Sequence, residues 1–165
     1  MSVSISLTLN GKAVSANVEA NVLLVDFIRD SQGLTGTNIG CDTSQCGSCN
    51  LLVDGLQVKS CSVLAVQADG CEVITIEGLA EEGKALHPMQ QAFQDNHGLQ
   101  CGFCTPGMVM AGIGLVERRR AAGLGQPTDQ EIRSALEGNI CRCTGYQNIV
   151  ASISQGAKTM LQGEG

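Results

Sequence analysis

Aromatic and basic residues are scarce in this sequence of 165 residues. Tryptophan is absent, aromatic residues make up 2% of the chain, and 10 lysines and arginines face 16 aspartates and glutamates. The resulting net charge of −6 argues against a nucleic-acid-binding protein, because contacts with phosphates depend on lysine and arginine. The only basic run, Arg118 to Arg120, follows a helical pattern, and we expect it to complement the carboxyl end of that helix.

Long hydrophobic runs are also absent. The longest, MVMAGIGLV at 108–116, is too short to cross a bilayer, and the amino terminus MSVSISLTLNG lacks the basic and apolar regions of a secretory signal. We therefore expect a cytoplasmic protein without a transmembrane segment. Because no dinucleotide fingerprint, phosphate-binding loop or nucleophile elbow is present, we expect no substrate-converting site on this chain.

Cysteine, by contrast, is abundant, with nine residues. An odd number of cysteines in a chain expected to be intracellular argues against a disulfide framework and favours metal binding. The only two histidines, His87 and His97, lie at a predicted helix start and helix end, where capping or surface roles are expected. Cys71 lies outside both cysteine clusters, and we expect it to be a small buried hydrophobic residue.

The first half of the chain, residues 1–78, has the pattern of a small mixed sheet crossed by one helix. Apolar and polar residues alternate from Val3 to Leu9, and the pairs Asn10-Gly11 and Asp54-Gly55 predict two hairpins. The segment NVLLVDFIRD predicts an amphipathic helix, and VITI at 73–76 predicts a last strand.

The second half, residues 87–162, predicts four helices after a linker at 79–86. One helix opens at Thr105-Pro106, where proline suits the first turn and threonine is a good N-cap. Two more open at Thr128–Glu131 and Thr144–Gln147, which match the capping-box pattern. We therefore predict an α+β fold made of two domains.

The first half contains four cysteines with the spacing C-x4-C-x2-C-x11-C. They are Cys41, Cys46, Cys49 and Cys61. The first three match the spacing of plant-type [2Fe–2S] ferredoxins, and Gly36, Gly40 and Gly47 permit the backbone to wrap closely around a cluster. A structural zinc site is the alternative, although structural zinc prefers paired C-x2-4-C knuckles.

The second half contains a C-x2-C pair and a C-x-C pair, each just ahead of a predicted helix. They are Cys101, Cys104, Cys141 and Cys143. Two facing helix starts would present four thiolates, whose negative charge the positive dipole ends would offset. The C-x-C pair is too tight for a usual zinc knuckle, but its two sulfurs could reach a single iron of a two-iron cluster. This spacing alone leaves a zinc site open.

Four stretches of the sequence resemble the small iron–sulfur subunit of the molybdenum hydroxylase (xanthine dehydrogenase) family over residues 3–160. They are GCDTSQCGSC, VKSCSVLAVQADG, HGLQCGFCTPGM and GNICRCTGYQNIV. The first and third are most similar to small subunits of aerobic carbon monoxide dehydrogenases, and bacterial hydroxylases of N-heterocycles are very similar there too.

The resemblance implies an N-terminal β-grasp ferredoxin-like domain and a C-terminal four-helix domain, each holding one [2Fe–2S] cluster on its four cysteines. It also implies an electron path from a molybdopterin centre on a large subunit to FAD on a medium subunit. In that arrangement the cluster of the helical domain is nearest the molybdopterin, and Gln100 contacts the pterin.

The resemblance further implies a heterotrimer or a dimer of heterotrimers. The reaction of such a complex is oxidation of CO to CO₂ or hydroxylation of an N-heterocycle or an aldehyde, in a pocket outside this chain. Two hypotheses from other classes are a free-standing two-cluster ferredoxin shuttle and a zinc-stabilised interaction module.

Overall fold

The computed structural model describes residues 2–80 and 83–163, in which a five-stranded sheet precedes a group of helices. The strands are β1 (Ser2–Leu9), β2 (Lys12–Glu19), β3 (Asn50–Val53), β4 (Leu56–Lys59) and β5 (Glu72–Ile74). The helices are α1 (Leu24–Asp26), α2 (Pro88–Asp95), α3 (Thr105–Ala121), α4 (Asp129–Ala135) and α5 (Gln147–Gln162). The predicted α+β class is confirmed.

The sheet has the strand order β2-β1-β5-β3-β4, in which β1 and β5 are parallel and the other neighbours are antiparallel. Both predicted hairpins are present. Asn10 and Gly11 have φ of 50° and 76°, and Asp54 and Gly55 have φ of 49° and 76°. Two successive positive φ angles are what a type I′ turn requires, so asparagine or aspartate followed by glycine suits both turns.

The helix predicted over NVLLVDFIRD starts later and is wider than its pattern suggests. Leu23 is extended and forms an isolated β-bridge with Leu64, so the helix cannot begin before Leu24. After three residues, α1 continues as a π-helical turn over Phe27–Ser31. The side chains that the pattern placed inward are nevertheless buried, as Phe27 is.

The last strand is shorter than the predicted 73–76. It ends at Ile74 because the backbone N–H of Thr75 donates a 2.9 Å hydrogen bond to Oδ1 of Asn10 rather than to a neighbouring strand. The chain then forms a 3₁₀ turn over Ile76–Gly78.

Two hydrophobic cores lie on opposite faces of the sheet. Adjacent residues of β3 separate them, because Leu51 belongs to the core between the sheet and α1, whereas Leu52 packs with the helices. Successive side chains of a strand point to opposite faces, so β3 is buried on both. Helix α3 lies across β3 and β4, with Arg118 of α3 bonded to Gln57 of β4 at 3.3 Å. The helices are thus packed directly on the sheet.

The capping box at Thr128 is confirmed. Thr128 Oγ1 accepts a hydrogen bond from the N–H of Glu131, and Glu131 Oε2 accepts one from the N–H of Thr128. The capping box at Thr144 is wrong. Helix α5 begins at Gln147 after Tyr146, whose φ is 70°, and Thr144 Oγ1 accepts from the N–H of Tyr146.

The expected N-cap at Thr105 is also wrong. Cys104 occupies the N-cap position of α3, and Thr105 is its first residue. Thr105 Oγ1 is buried and has no hydrogen-bond partner among residues 2–80 and 83–163. The cap position is therefore occupied by one of the cysteines at the candidate site rather than by a hydroxyl.

The basic run at the end of α3 joins helices as well as completing the helix end. Arg119 forms a 2.7 Å ion pair with Glu131 of α4, and Arg120 donates to the carbonyl of Met160 in α5 at 3.1 Å.

Residues 81–82 of the predicted linker lie outside the described residues, so the domain limits stay a prediction. In the part of the chain that the structure describes, no helix combines the length and apolar character needed to cross a membrane.

Candidate metal centres

The first four cysteines lie on an irregular segment and on the turn after β4. We call residues 40–49 the first cysteine loop. Cys41 Sγ accepts a 3.4 Å hydrogen bond from the N–H of Cys46, and Cys49 Sγ lies 3.3 Å from Cys61 Sγ. Cys46 and Cys49 are buried, whereas the other two are partly exposed. The side chains of Cys41 and Cys46 also hydrogen-bond to each other, so the four thiols meet as two pairs.

Polar contacts from β4 hold the first cysteine loop in place. Nζ of Lys59 donates to the carbonyls of Ser44 at 2.9 Å and Gln45 at 3.3 Å. The buried hydroxyl of Ser60 donates to the carbonyl of Cys49 at 2.7 Å. A Cβ at Gly40 would lie 3.0 Å from Cys46 Sγ, so a larger residue there would crowd that thiol. These hydrogen bonds hold the loop through its backbone carbonyls and leave its thiols available as metal ligands.

The second four cysteines meet around a cavity of about 170 Å³. Two of them precede α3, and two lie on residues 138–146, which we call the second cysteine loop. Cys143 Sγ lies 3.6 Å from Cys101 Sγ, and the thiols of Cys104 and Cys141 hydrogen-bond to each other. The C-x-C motif thus contributes one thiol to each of two pairs, and neither pair is made within the motif.

Tyr146, the only tyrosine, organises the second cysteine loop. Its hydroxyl donates to the carbonyl of Asn139 at 3.0 Å and accepts from the N–H of Cys141 at 2.9 Å. Thr144 Oγ1 lies 3.1 Å from Cys141 Sγ. Sequence reasoning missed Tyr146, although a lone tyrosine three residues after a C-x-C motif was a usable signal.

The thiols of each set differ in how easily they ionise. The N–H of Cys46 lowers the pKa of Cys41 to about 6. Burial alone would raise the pKa of Cys141, but hydrogen bonds from Thr144 and nearby backbone amides outweigh it, so that pKa is lowered. Burial raises the pKa of Cys49 to about 11 and that of Cys104 to about 12. The thiols of Cys49 and Cys104 would therefore become thiolates at neutral pH only when a metal replaces the proton.

The pairwise arrangement fits a two-iron cluster in each half. Over residues 2–80 and 83–163, no group of three or more histidine, cysteine, aspartate or glutamate side chains is arranged around a single ion. A [2Fe–2S] cluster is held by four cysteine thiolates, two on each iron, which matches two thiol pairs at each site. The N–H donor aimed at Cys41 Sγ is a further contact that favours a thiolate.

Gln100 is exposed, next to the exposed thiol of Cys101, and is therefore open to a partner molecule. Cys71 is only partly buried, contrary to the expectation of a buried hydrophobic residue, and belongs to neither set. A hydrogen bond to Asp54 raises the pKa of Cys71.

His87 caps α2, because its Nδ1 accepts a 3.2 Å hydrogen bond from the N–H of Met89. His97 follows α2 with φ of 52°.

The two cysteine loops touch each other. The N–H of Ile140 donates a 2.8 Å hydrogen bond to the carbonyl of Cys46, and Cys46 also lines the cavity of the second set. Nearby, Nδ2 of Asn50 donates to Oδ1 of Asn139 at 2.5 Å. The sequence, read as two independent domains, did not predict this contact.

Comparisons with known proteins agree with this geometry. Residues 7–80 match the family described as 2Fe-2S iron-sulfur cluster binding domain, and residues 75–154 match the family described as [2Fe-2S] binding domain. The chain is 47% identical over 157 residues to the gamma subunit of caffeine dehydrogenase from Pseudomonas sp. (strain CBB1), covering 94% of this chain and 91% of the relative.

Two further relatives cover nearly the whole chain. The small subunit of nicotine 6-hydroxylase from Paenarthrobacter nicotinovorans is 44% identical over 151 residues, or 92% of this chain and 87% of the relative. A chain in the crystal structure of quinoline 2-oxidoreductase from Pseudomonas putida 86 superimposes with a TM-score of 0.87 and 43% identity, covering 99% of each chain. The chain belongs to the molybdenum hydroxylase family, as one of its small iron–sulfur, electron-transfer subunits.

Proposed function

We propose that the eight paired cysteines hold two [2Fe–2S] clusters that relay electrons from a molybdopterin centre on a large subunit to FAD on a medium subunit. The observation that carries this proposal is the meeting of the thiols in two pairs at each site. When bound, each cluster supplies a carrier that accepts and releases one electron at a time. The protein supplies the ligands, their positions and the electrostatic surroundings.

The surroundings differ between the two sites. At the first, Sγ of the partly exposed Cys61 lies 3.7 Å from the Ser44 hydroxyl, and the Lys59 ammonium donates to the carbonyl of Ser44. At the second, Tyr146 and Thr144 act on Cys141. Hydrogen bonds and burial tune the potential of a cluster, so these contacts are the means by which this chain would give its two sites different potentials.

The second site is the one that would face the large subunit. Cys101 and Cys143 are exposed, and the exposed Gln100 directly precedes Cys101 in the sequence. An uncharged amide can both donate to and accept from a pterin ring. We propose that Gln100 makes this contact, which would connect the molybdopterin to the second site.

The partners would be a large molybdopterin-binding chain and a medium FAD-binding chain, in a heterotrimer or a dimer of heterotrimers. The names of the relatives support an assembly of this kind, because they describe a gamma subunit and a small subunit. Nine free cysteines suit a reducing compartment, so we propose a cytoplasmic complex.

For the substrate of the complex, we propose an aromatic N-heterocycle. The relatives are named for caffeine, nicotine and quinoline, which share a nitrogen-containing ring, at identities of 43% to 47%. Hydroxylation of such a ring with oxygen from water releases two electrons and two protons, and the electrons would leave through this chain. Two of the cysteine-containing stretches resemble carbon monoxide dehydrogenase small subunits most. Oxidation of CO therefore stays a prediction, to be tested together with N-heterocycles.

The test uses the complex purified from its own host through a tag on this chain. Iron, molybdenum and FAD are counted per chain, and nicotine, quinoline, caffeine, an aldehyde and CO are then added anaerobically in separate samples. Bleaching of the visible iron–sulfur absorbance by an N-heterocycle supports the proposal, whereas bleaching by CO or the aldehyde alone overturns the substrate class. A chain that is purified with iron but without molybdenum would be a free-standing shuttle, and a colourless zinc-containing chain would be an interaction module.

A further inference from the structure

Two buried asparagines connect the cysteine loops. Asn50 is the first residue of β3 and directly follows Cys49, and Asn139 lies two residues before Cys141. The two side chains are 2% and 4% exposed, and their 2.5 Å hydrogen bond spans 89 positions of sequence. Each asparagine is therefore fixed to a different cysteine set, and one bond joins the two.

This pair is not the most stable solution for a buried contact. Oδ1 of Asn50 has no hydrogen-bond partner among residues 2–80 and 83–163, and its Nδ2 has only a long second contact, 3.4 Å from the carbonyl of Gly107. A buried acceptor without a partner costs free energy, which an apolar side chain of similar volume would avoid. The hydrogen bond between the two amides instead fixes how the two side chains are oriented, because a buried polar group must meet its partner in one geometry.

The geometry that the asparagines specify is the approach of the two loops. Beside them, the N–H of Ile140 bonds to the carbonyl of Cys46 at 2.8 Å. The backbones approach so closely that a Cβ on Gly47 would overlap Oδ1 of Asn139, and a Cβ on Gly107 would overlap the carbonyl of Gly47. Glycine at 47 and 107 makes room for the contact, and the asparagine pair holds it closed.

We infer that Asn50 and Asn139 are positioning residues for electron transfer between the two cysteine sites. In this step, the second site is oxidised by one electron and the first is reduced by one, so its rate depends on how closely the loops are held. Within residues 2–80 and 83–163, neither asparagine side chain hydrogen-bonds to a thiol. They act through the Cys46–Ile140 contact. The inference rests on the ligand assignment in the proposed function.

The experiment uses the purified complex with Asn139→Leu, which keeps a similar volume but loses the acceptor, and separately with Asn50→Ala. The control is Asn96→Ala, because Asn96 also makes an amide–amide hydrogen bond, 2.8 Å to Gln155, but between α2 and α5. Iron content is measured first. The magnetic interaction between the two reduced clusters is then read from the electron paramagnetic resonance (EPR) spectrum, and the exchange of the Ile140 amide is followed by hydrogen–deuterium exchange.

We expect both variants to keep their iron, to lose part of the magnetic interaction and to exchange the Ile140 amide about tenfold faster, as expected for loss of one buried hydrogen bond. The Asn96→Ala complex should behave like wild type. The double variant should add little to either single one, because both remove the same contact. An unchanged magnetic interaction at full iron content, or additive effects in the double variant, overturns the inference.

The wild-type complex gives a test that needs no variant. If the Ile140 amide exchanges as fast as an exposed amide, the loops are not held together and the inference is wrong, whatever the variants do. If the wild type binds less iron than two clusters require, the proposed function fails instead. The two failures are thus distinguishable.

Discussion

The backbone N–H of Ile140 donates a 2.8 Å hydrogen bond to the carbonyl of Cys46, so the residue next to one candidate ligand is bonded to a candidate ligand of the other site. Each site would be held by loops rather than by regular elements, and each loop needs outside support to keep its thiols in position. Part of that support comes from the other loop. The two sites therefore form one structural unit, although their cysteines lie in different halves of the chain.

Replacing one exposed thiol tests this unity. Cys143→Ser should remove the second cluster and about half of the iron, because serine is a poor replacement for a thiolate ligand. The remaining cluster should stay bound, but its EPR spectrum should change because its loop contacts the altered one. Cys71→Ser is the matched control and should keep full iron, since Cys71 belongs to neither set. Full iron content in Cys143→Ser would contradict the assignment.

Removing one hydroxyl should loosen the second cysteine loop. In Tyr146→Phe, the N–H of Cys141 and the carbonyl of Asn139 both lose their bond to the tyrosine oxygen. We expect a loss of about 1–2 kcal/mol in the free energy of unfolding and faster release of iron to a chelator. Thr159→Ala removes a hydroxyl from α5 far from the cysteines and serves as the control. Equal chelation rates in the two variants would show that Tyr146 does not support the site.

Features of the fold and the sites that depend on neighbouring residues could be predicted from the sequence. Features that depend on contacts between residues far apart in the sequence could not. The turn at Asn10-Gly11 and the capping box at Thr128 are decided by neighbouring residues, so local patterns predicted them correctly. Thr144 has the same pattern as Thr128, but its hydroxyl contacts Cys141 and the N–H of Tyr146, and a local pattern cannot show that competition. The bond between Asn50 and Asn139 depends on the packing of α3 on the sheet, which no spacing reveals.

A methyl group at Gly107 should separate the two loops. Its Cβ would overlap the carbonyl of Gly47, so Gly107→Ala should destabilise the fold by about 1–3 kcal/mol, as overpacking does. The variant should also weaken the magnetic interaction between the reduced clusters. Gly125→Ala is the control, because a Cβ there meets nothing within 4 Å. Thermal unfolding of the two variants, followed by circular dichroism, measures the difference, and equal midpoints would contradict the predicted overlap.

The stability of α2 should depend on pH through His87. Burial lowers the pKa of His87 below its ordinary value of 6.5, and its neutral Nδ1 accepts the bond that caps the helix. Below pH 6.5 the unfolded chain binds a proton that the folded chain does not, so stability falls as the pH is lowered towards the folded pKa. His87→Asn keeps a capping acceptor without titrating. Melting temperatures from pH 8 to 5 should fall more steeply for the wild type than for this variant, and parallel curves would rule out the effect.

We propose that this chain holds two [2Fe–2S] clusters on four pairs of cysteines and relays electrons through both. The most direct measurement is EPR of the purified complex, frozen at intervals after anaerobic addition of an N-heterocycle that bleaches it. We expect two distinct [2Fe–2S] signals that both appear on reduction by substrate, with one signal lost in Cys143→Ser. A single signal in the wild type, or two signals that Cys143→Ser leaves unchanged, would contradict it.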